Sequence, residues 1–345
     1  MKHTVWLYII LLGLSCISCG NAPATRGQTT ESAETLFHLP PEYAELPVSE
    51  FREVWAYLLA EQESYLKPGM PITDIGYFAA TVNLYGQLVD IPNRKNIPPH
   101  FSGKVHLVAT CDGRALSYFT LRAGRPERQA LIADLLAASK DYDGLQINFE
   151  NVPQRSGEDY VTFLRELRAG LDKNKMFTVA LAARTRKIAD DVYDYEKILP
   201  LVDRILVMAY DEHWSTSVPG PIGSMRWCKN VASHSINVIG QEKLVMGLPF
   251  YGRAWASPNH ARAYYYVGIQ RIARENNVTE IHREEGIPTF SYTIPVSVKA
   301  YYDDAYSLSV RMEMYREMNI DAVGFWRLGQ ETPAVWDVLK MRNEE

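Results

Sequence analysis

The chain has 345 residues, 47% hydrophobic and 22% charged, a composition typical of a globular protein long enough to bury a large core. Its formal net charge of −5 provides no basic surface, which excludes nucleic acid as an expected partner. The four cysteines and eight histidines show no metal-ligand spacing, so we expect neither a metal nor a cofactor.

The first residues indicate export. A basic start precedes an apolar run over residues 5–14, which is too short to span a bilayer. Cys16 and Cys19 follow within LSCISCGN, a stretch that resembles the lipidation signal of bacterial lipoproteins. We predict a signal peptide over residues 1–19, lipidation at Cys19 or Cys16, and an exported protein anchored by lipid in the bacterial cell envelope. A plain secretory signal or a short uncleaved anchor is the alternative.

The next segment predicts a tether. Residues 20–47 are mostly polar and rich in Thr, Ala and Pro, a composition typical of a flexible linker. Residues 48–345 then form one domain, which we expect to be monomeric. It contains Cys111 and Cys228, which an exported chain could pair, although the sequence alone does not decide this.

Eight short β-branched and aromatic runs alternate with helical patterns along this domain. They begin at Arg52, Ile72, Lys104, Gly144, Phe177, Arg204, Lys243 and Ala322. Eight strands alternating with helices predict an α/β fold, a closed parallel (β/α)₈ barrel. The same alternation permits a doubly wound open sheet, but the count of eight favours the barrel.

A long stretch separates the seventh and eighth predicted strands. It contains AYYYVG, GIPTFSYTI and VKAYYDD, which alternate like short extra strands. We predict a small α+β insertion there, on the upper rim of the barrel.

The fourth predicted strand, within DGLQINFENV, has an unusual face. Apolar residues alternate with Gln146, Asn148 and Glu150, so the three polar side chains share one side of the strand. Burying such groups without partners costs about several kcal/mol. They form either a satisfied polar network without chemistry or part of a site. Glu150 favours a site, because it ends the strand at the face where barrel enzymes bind substrates.

Other strand ends agree with this interpretation. MAYDEHW ends the sixth strand with Tyr210 and Asp211, LPFYGRAW follows the seventh with Tyr251, and GFWRLG ends the eighth with Trp326. Acids, phenols and an indole would therefore converge at one mouth, an arrangement typical of a sugar-binding cleft.

Together these motifs resemble glycoside hydrolase family 18, whose fourth strand carries D-x-x-D-x-D-x-E. In this sequence the motif reads Asp143, Gln146, Asn148 and Glu150. The flanking stretches DG…I.FENV, M.YDEHW…PGP and GFWRLG are especially similar to the spore-cortex and peptidoglycan N-acetylglucosaminidase branch. The similarity runs over about residues 53–339, nearly the whole predicted domain.

The resemblance implies hydrolysis of β-linked N-acetylglucosamine in peptidoglycan or chitin-like glycans, with retention and with the substrate's own acetamido group as nucleophile. Glu150 would be the general acid and then the general base. Asn148 takes the place of the aspartate that holds the acetamido N–H, and Tyr210 would bind the acetamido oxygen. Asp143 completes the catalytic motif.

The resemblance also implies a binding set. Asp211 would contact sugar hydroxyls or the developing charge, and Trp326 would form the floor under the reacting sugar. Tyr251 would lie in the cleft wall, and Gln146 occupies the first inner position of the motif.

Asn148 is the main departure from the family pattern, because an amide accepts the N–H bond but supplies no negative charge. We therefore predict weakened hydrolysis. The alternatives are a catalytically faded, lectin-like envelope lipoprotein that binds amino sugars, and a structural lipoprotein with a vestigial cleft.

Overall fold

The computed structural model describes residues 36–37, 46–256, 260–294 and 297–342. The predicted signal peptide, both candidate lipidation sites and most of the predicted tether lie outside these ranges, so those interpretations stay predictions. In the described ranges, no helix is both long and apolar enough to cross a bilayer.

Sixteen strands lie in the described part of the chain. They are β1 (Ser49–Phe51), β2 (Glu53–Leu59), β3 (Asp74–Val82), β4 (Leu88–Val89), β5 (Lys104–Thr110), β6 (Gly144–Asn148), β7 (Met176–Ala182), β8 (Arg204–Met208), β9 (Leu244–Pro249), β10 (Tyr251–Ala256), β11 (His260–Tyr265), β12 (His282–Glu284), β13 (Ile287–Thr293), β14 (Ser297–Tyr301), β15 (Ala322–Trp326) and β16 (Leu339–Met341).

Eight of these strands close into a parallel barrel. The order around it is β2, β15, β9, β8, β7, β6, β5 and β3, and a parallel β2–β3 pairing closes the ring. Each predicted strand corresponds to one barrel strand, so the (β/α)₈ prediction is confirmed. The closing pair excludes the open doubly wound sheet. Outside the ring, β4 extends β3 as an antiparallel hairpin, and β1 pairs with β16.

Helices cover the outside of the barrel. They are α1 (Arg114–Leu121), α2 (Pro126–Ala138), α3 (Gly157–Gly170), α4 (Tyr195–Ile198), α5 (Met225–Ile239) and α7 (Ala305–Glu317). The remaining helix, α6 (Tyr266–Glu275), belongs to the insertion between the seventh and eighth barrel strands. One apolar side of α3 is buried, with Phe163, Leu164 and Leu167 fully inaccessible to solvent. The main hydrophobic core is the layer between such helices and the outer faces of the strands.

A smaller apolar cluster fills the barrel itself. Trp55 and Tyr57 of β2, Val108 of β5 and Leu206 of β8 belong to it and point inward. Gly144 lies at the narrow base of this interior, where a Cβ would approach His106 Nδ1 to 2.3 Å and the Met176 carbonyl oxygen to 2.6 Å. Because neither neighbour is free to withdraw, the start of the fourth strand requires glycine.

The predicted α+β insertion is confirmed between β9 and β15. It is a five-stranded antiparallel sheet in the order β11, β10, β14, β13 and β12, packed on α6. Four residues of the predicted tether are described, 36–37 and 46–47, and the first two contact this insertion. Leu36 and Phe37 pack against its apolar cluster, with the Phe37 ring 6.3 Å from the ring of Tyr266.

The fourth barrel strand ends earlier than the sequence suggested. β6 stops at Asn148, and Glu150 lies in the turn that follows. Phe149 anchors this turn, because its ring stacks on Phe163 of α3 at 5.7 Å.

Cys111 and Cys228 are both buried free thiols, so the pairing that the sequence left open does not occur.

The stacked pair Phe149–Phe163 predicts a measurable stability contribution. Phe163→Ala should lower the free energy of unfolding by about 3–5 kcal/mol, because a buried aromatic side chain is lost and a cavity is left. Urea denaturation measures the change. Arg165→Ala, at an exposed position of the same helix, is the control and should stay within about 0.5 kcal/mol of wild type. Equal losses in both variants would contradict the assigned packing.

Candidate active site

An open cavity of about 240 Å³ lies at the C-terminal mouth of the barrel. It combines residues from the barrel strand ends with residues from the insertion. The lining residues are Tyr57, Asn148, Glu150, Met208, Tyr210, Asp211, Tyr251, Arg253, Ala263, Trp326 and Gln330. The structure therefore brings together six of the eight side chains that the sequence pointed to, all except Gln146 and Asp143.

Glu150 is an acid whose pKa is raised. The residue is open to solvent from the mouth, yet its carboxyl group is crowded by protein atoms, and this desolvation raises the pKa. A hydrogen bond from Asn148 lowers the pKa, and the negative charges of Asp112 and Asp211 raise it again. The net upward shift keeps the carboxyl protonated to a higher pH than an ordinary glutamic acid, as a general acid requires.

Asn148 is oriented by this same contact. Its Nδ2 donates to Glu150 Oε1 at 3.1 Å, which leaves Oε2 as the oxygen free to carry the proton. Asn148 Oδ1 is buried and accepts no hydrogen bond from the described residues. A buried carbonyl oxygen without a donor costs about 1–3 kcal/mol, so a ligand N–H that reaches it would be favoured.

Gln146 lies below the cavity rather than in its wall. It is fully buried inside the barrel, where Oε1 accepts from the Tyr57 hydroxyl at 2.5 Å and Nε2 donates to Thr178 Oγ1 at 3.1 Å. The structure thus places Gln146 in a satisfied polar network and not in direct reach of a ligand. Its effect on the cleft passes through Tyr57, which it holds in place.

Asp211 is held by two residues of β10. Its Oδ1 accepts from the Tyr251 hydroxyl at 2.5 Å and from Arg253 Nη2 at 2.7 Å. Its backbone has a positive φ of 59°, a left-handed conformation that only a small share of non-glycine residues adopt. Both partners bind Oδ1, and among the described residues no donor reaches Oδ2.

Aromatic rings form one side of the cavity. The Trp326 ring lies 5.2 Å from the Tyr57 ring and 4.9 Å from the Phe78 ring, and a cis peptide bond joins Trp326 to Arg327. Tyr210 and Tyr251, which also line the cavity, meet edge to face at 6.3 Å. Burial raises the pKa of both phenols, so they remain neutral hydrogen-bonding groups at physiological pH.

Asp143 is not part of this cavity, and its predicted catalytic role needs correction. It precedes β6, whereas Glu150 follows it, so the five-residue strand lies between them and spans roughly 17 Å. Its Oδ2 accepts from Arg94 Nη2 at 2.7 Å and from the Val105 backbone N–H at 2.8 Å. Although partial burial opposes them, these bonds lower the pKa of Asp143. The residue belongs to the N-terminal face of the barrel, which serves stability.

Sequence reasoning missed several residues of the site. Tyr57 lies two residues after Trp55 on the first barrel strand, so the two side chains share one face. This pattern could have indicated an inward-facing phenol. Gln330 directly follows GFWRLG, yet it received no role. Met208 and Ala263 carry no signal that separates them from ordinary core residues. The described residues contain no group of three or more His, Cys, Asp or Glu side chains that could hold a metal ion.

Comparison with known proteins agrees with this geometry. The chain is 27% identical over 218 residues to the uncharacterized glycosylase YvbX of Bacillus subtilis, a match covering 59% of this chain and 62% of that protein. The spore cortex-lytic enzyme SleL of Bacillus cereus has the same fold, with a TM-score of 0.74, 21% identity and coverage of 86% and 76% of the two chains.

A plant class V chitinase mutant from Cycas revoluta, solved in complex with (GlcNAc)3, also has this fold. Its TM-score is 0.66 at 19% identity, and the match covers 83% of this chain and 98% of that one. The match to the first curated relatives spans only 51% to 62% of their own length. The family model for glycosyl hydrolases family 18 matches residues 112–331, well over half of this sequence. The chain therefore belongs to glycosyl hydrolases family 18.

Proposed function

We propose that the protein hydrolyses β-linked N-acetylglucosamine in peptidoglycan or chitin-like glycans. The observation that carries the proposal is the contact between Glu150, an acid of raised pKa, and Asn148. The carbonyl oxygen of Asn148 accepts no hydrogen bond from the described residues. Both residues line one open cavity together with Tyr210 and Trp326. A saccharide with a 2-acetamido group supplies the missing N–H donor, and the indole offers a flat apolar face to the ring.

The proposed reaction uses the substrate's own amide. Glu150 donates its proton to the glycosidic oxygen while the acetamido carbonyl oxygen attacks the anomeric carbon, so the leaving sugar departs as an alcohol. An oxazolinium ion remains, with its N–H directed to Asn148 Oδ1 and its oxygen within reach of Tyr210. The ionised Glu150 then removes a proton from water, which opens the ring with overall retention.

The relatives support the peptidoglycan branch of this proposal, because one matching fold belongs to a spore cortex-lytic enzyme. An exported, lipid-anchored monomer would meet the same polymer in the cell envelope. We propose this localisation on the strength of the N-terminal sequence alone.

A second function, amino-sugar binding without turnover, is favoured by one observation. Position 148 carries an amide, so the site lacks the negative charge that the family places next to the cationic intermediate. Against it stands Glu150, since a protein that only binds sugars has no need of an acid with a raised pKa.

Removal of the acid separates the two functions. Glu150→Gln keeps the size and polarity of the side chain but has no proton to donate, so turnover of a fluorogenic chitobioside and of purified glycan strands should fall at least about 10²-fold. Glu313→Gln, at an exposed position on α7, is the matched control and should keep wild-type rates. Saturable glycan binding with no turnover by either protein would establish the lectin-like function instead.

The acetamido group should be indispensable. A chitobioside analogue with free 2-amino groups lacks the internal nucleophile, and its hydrolysis should be slower by at least about 10³-fold, because an oriented intramolecular nucleophile has an effective molarity far above this factor. Competition binding of the same analogue serves as the control for affinity. Similar rates for both substrates would mean that a protein group, not the substrate amide, attacks the anomeric carbon.

The amide at position 148 should limit the rate. Asn148→Asp should raise kcat about tenfold, because a bond to a charged acceptor stabilises the cationic intermediate more than a neutral one does. The added like charge should also raise the pKa of Glu150 and move the alkaline limb of the pH–rate profile upward. Identical rates and profiles for the two proteins would show that the amide is immaterial.

A further inference from the structure

The third barrel strand places another carboxylate beside Glu150. Thr110 of β5 pairs with Asn148 of β6 in parallel register, and extending that register by two residues brings Asp112 level with Glu150. Neighbouring strands lie about 4.8 Å apart. Asp112 and Glu150 therefore each lie two residues beyond the last registered pair of two neighbouring strands, at the C-terminal end of the barrel, although Asp112 is not among the residues that line the cavity.

Their side chains also point the same way. The Cys111 thiol contacts hydroxyl groups of α1 on the outer side of the barrel, so the next side chain, Asp112, is directed toward the mouth. Phe149 likewise packs outward against α3, which turns Glu150 inward. The strand geometry, independently of any titration behaviour, thus makes Asp112 and Glu150 neighbours.

Asp112 carries an uncompensated charge. Among the described residues, none forms a hydrogen bond or an ion pair with its carboxylate, although Arg114 follows two positions later. The residue is exposed to solvent, and the desolvation of its carboxyl group by neighbouring protein atoms raises its own pKa. Its negative charge is one of the contributions that raise the pKa of Glu150.

The other groups that face Glu150 are either neutral or paired with a cation, unlike Asp112. Burial raises the pKa of the Tyr57, Tyr193 and Tyr210 phenols, which leaves them neutral. Asp211 is an anion, but Arg253 donates two hydrogen bonds to its Oδ1 and offsets its charge. In the described part of the structure, Asp112 is the anion near Glu150 that no cation neutralises.

We propose that Asp112 supplies, from the neighbouring strand, the negative charge that Asn148 does not, and so positions the proton on Glu150 and stabilises the cationic intermediate. This inference rests on the proposed function and extends it. The resemblance assigns one aspartate two tasks, accepting the acetamido N–H and providing charge. Here Asn148 performs the first task and Asp112 the second.

The test compares pH–rate profiles of wild type, Asp112→Asn, Asp112→Glu and the double variant Asp112→Asn/Asn148→Asp on the fluorogenic chitobioside. Asp112→Asn should lower kcat about threefold to tenfold, a modest factor because solvent screens an exposed charge. It should also move the alkaline limb to lower pH. Asp112→Glu should stay near wild type, and the double variant should restore both the rate and the limb.

Two controls make the outcome decisive. Asp337→Asn removes an exposed carboxylate outside the cavity and should leave the profile unchanged. A ¹³C titration of the Glu150 carboxyl, assigned by its loss in Glu150→Gln, should give a lower pKa in Asp112→Asn than in wild type. This second readout needs no turnover, so an inactive wild type would overturn the proposed function while the titration still decides the Asp112–Glu150 contact.

The proposal would be wrong if Asp112→Asn left both the profile and the titration unchanged. It would also be wrong if Asn148→Asp did not rescue the variant. A loss in Asp112→Asn as complete as that in Glu150→Gln, with the acetamido requirement gone, would instead make Asp112 a nucleophile.

Discussion

The parallel register of the barrel strands is the constraint on which the site depends. Because all eight strands run the same way and close through the β2–β3 pairing, their C-terminal ends meet around one mouth. Tyr57 and Trp326, more than 250 positions apart, consequently lie next to each other at the ends of the paired strands β2 and β15. Alternation along each strand then decides which side chains enter the mouth and which join the outer core.

The outer core fixes the inner site as firmly as the strands do. Phe149 is locked against Phe163, so the residue after it has little freedom in direction. Tyr193 reinforces the same turn, since its hydroxyl donates to the Phe149 carbonyl oxygen at 2.7 Å and accepts from the Val152 backbone N–H at 3.1 Å. Glu150 thus lies in a turn that is anchored on both sides, which keeps its carboxyl in the crowded environment that shifts its pKa.

Much of this arrangement could be predicted from the sequence, because strand period and strand count are local properties. The positions of Glu150, Tyr210 and Trp326 followed from their places at strand ends. Asp143 was wrongly assigned to the catalytic site because it belongs to the same sequence motif as Glu150. The two residues lie at opposite ends of β6, so they are far apart in space. Ala263 could not be predicted, since it reaches the cavity through the fold of the insertion, and no local pattern encodes that docking.

Gln146 and Asn148 show that a polar residue in a barrel strand can have either a structural role or a ligand-binding role. Gln146 is hydrogen-bonded to Tyr57 and Thr178, so its buried amide group needs no hydrogen bond from a ligand. Asn148, two residues further toward the mouth, retains a buried oxygen that the described residues leave unpaired. Both residues share one face and one side-chain chemistry, and only their depth in the barrel separates them. The position along the strand therefore decides the role of the amide group. Gln146, deeper in the barrel, is hydrogen-bonded within the protein, whereas Asn148, nearer the mouth, has an oxygen that a ligand can pair with.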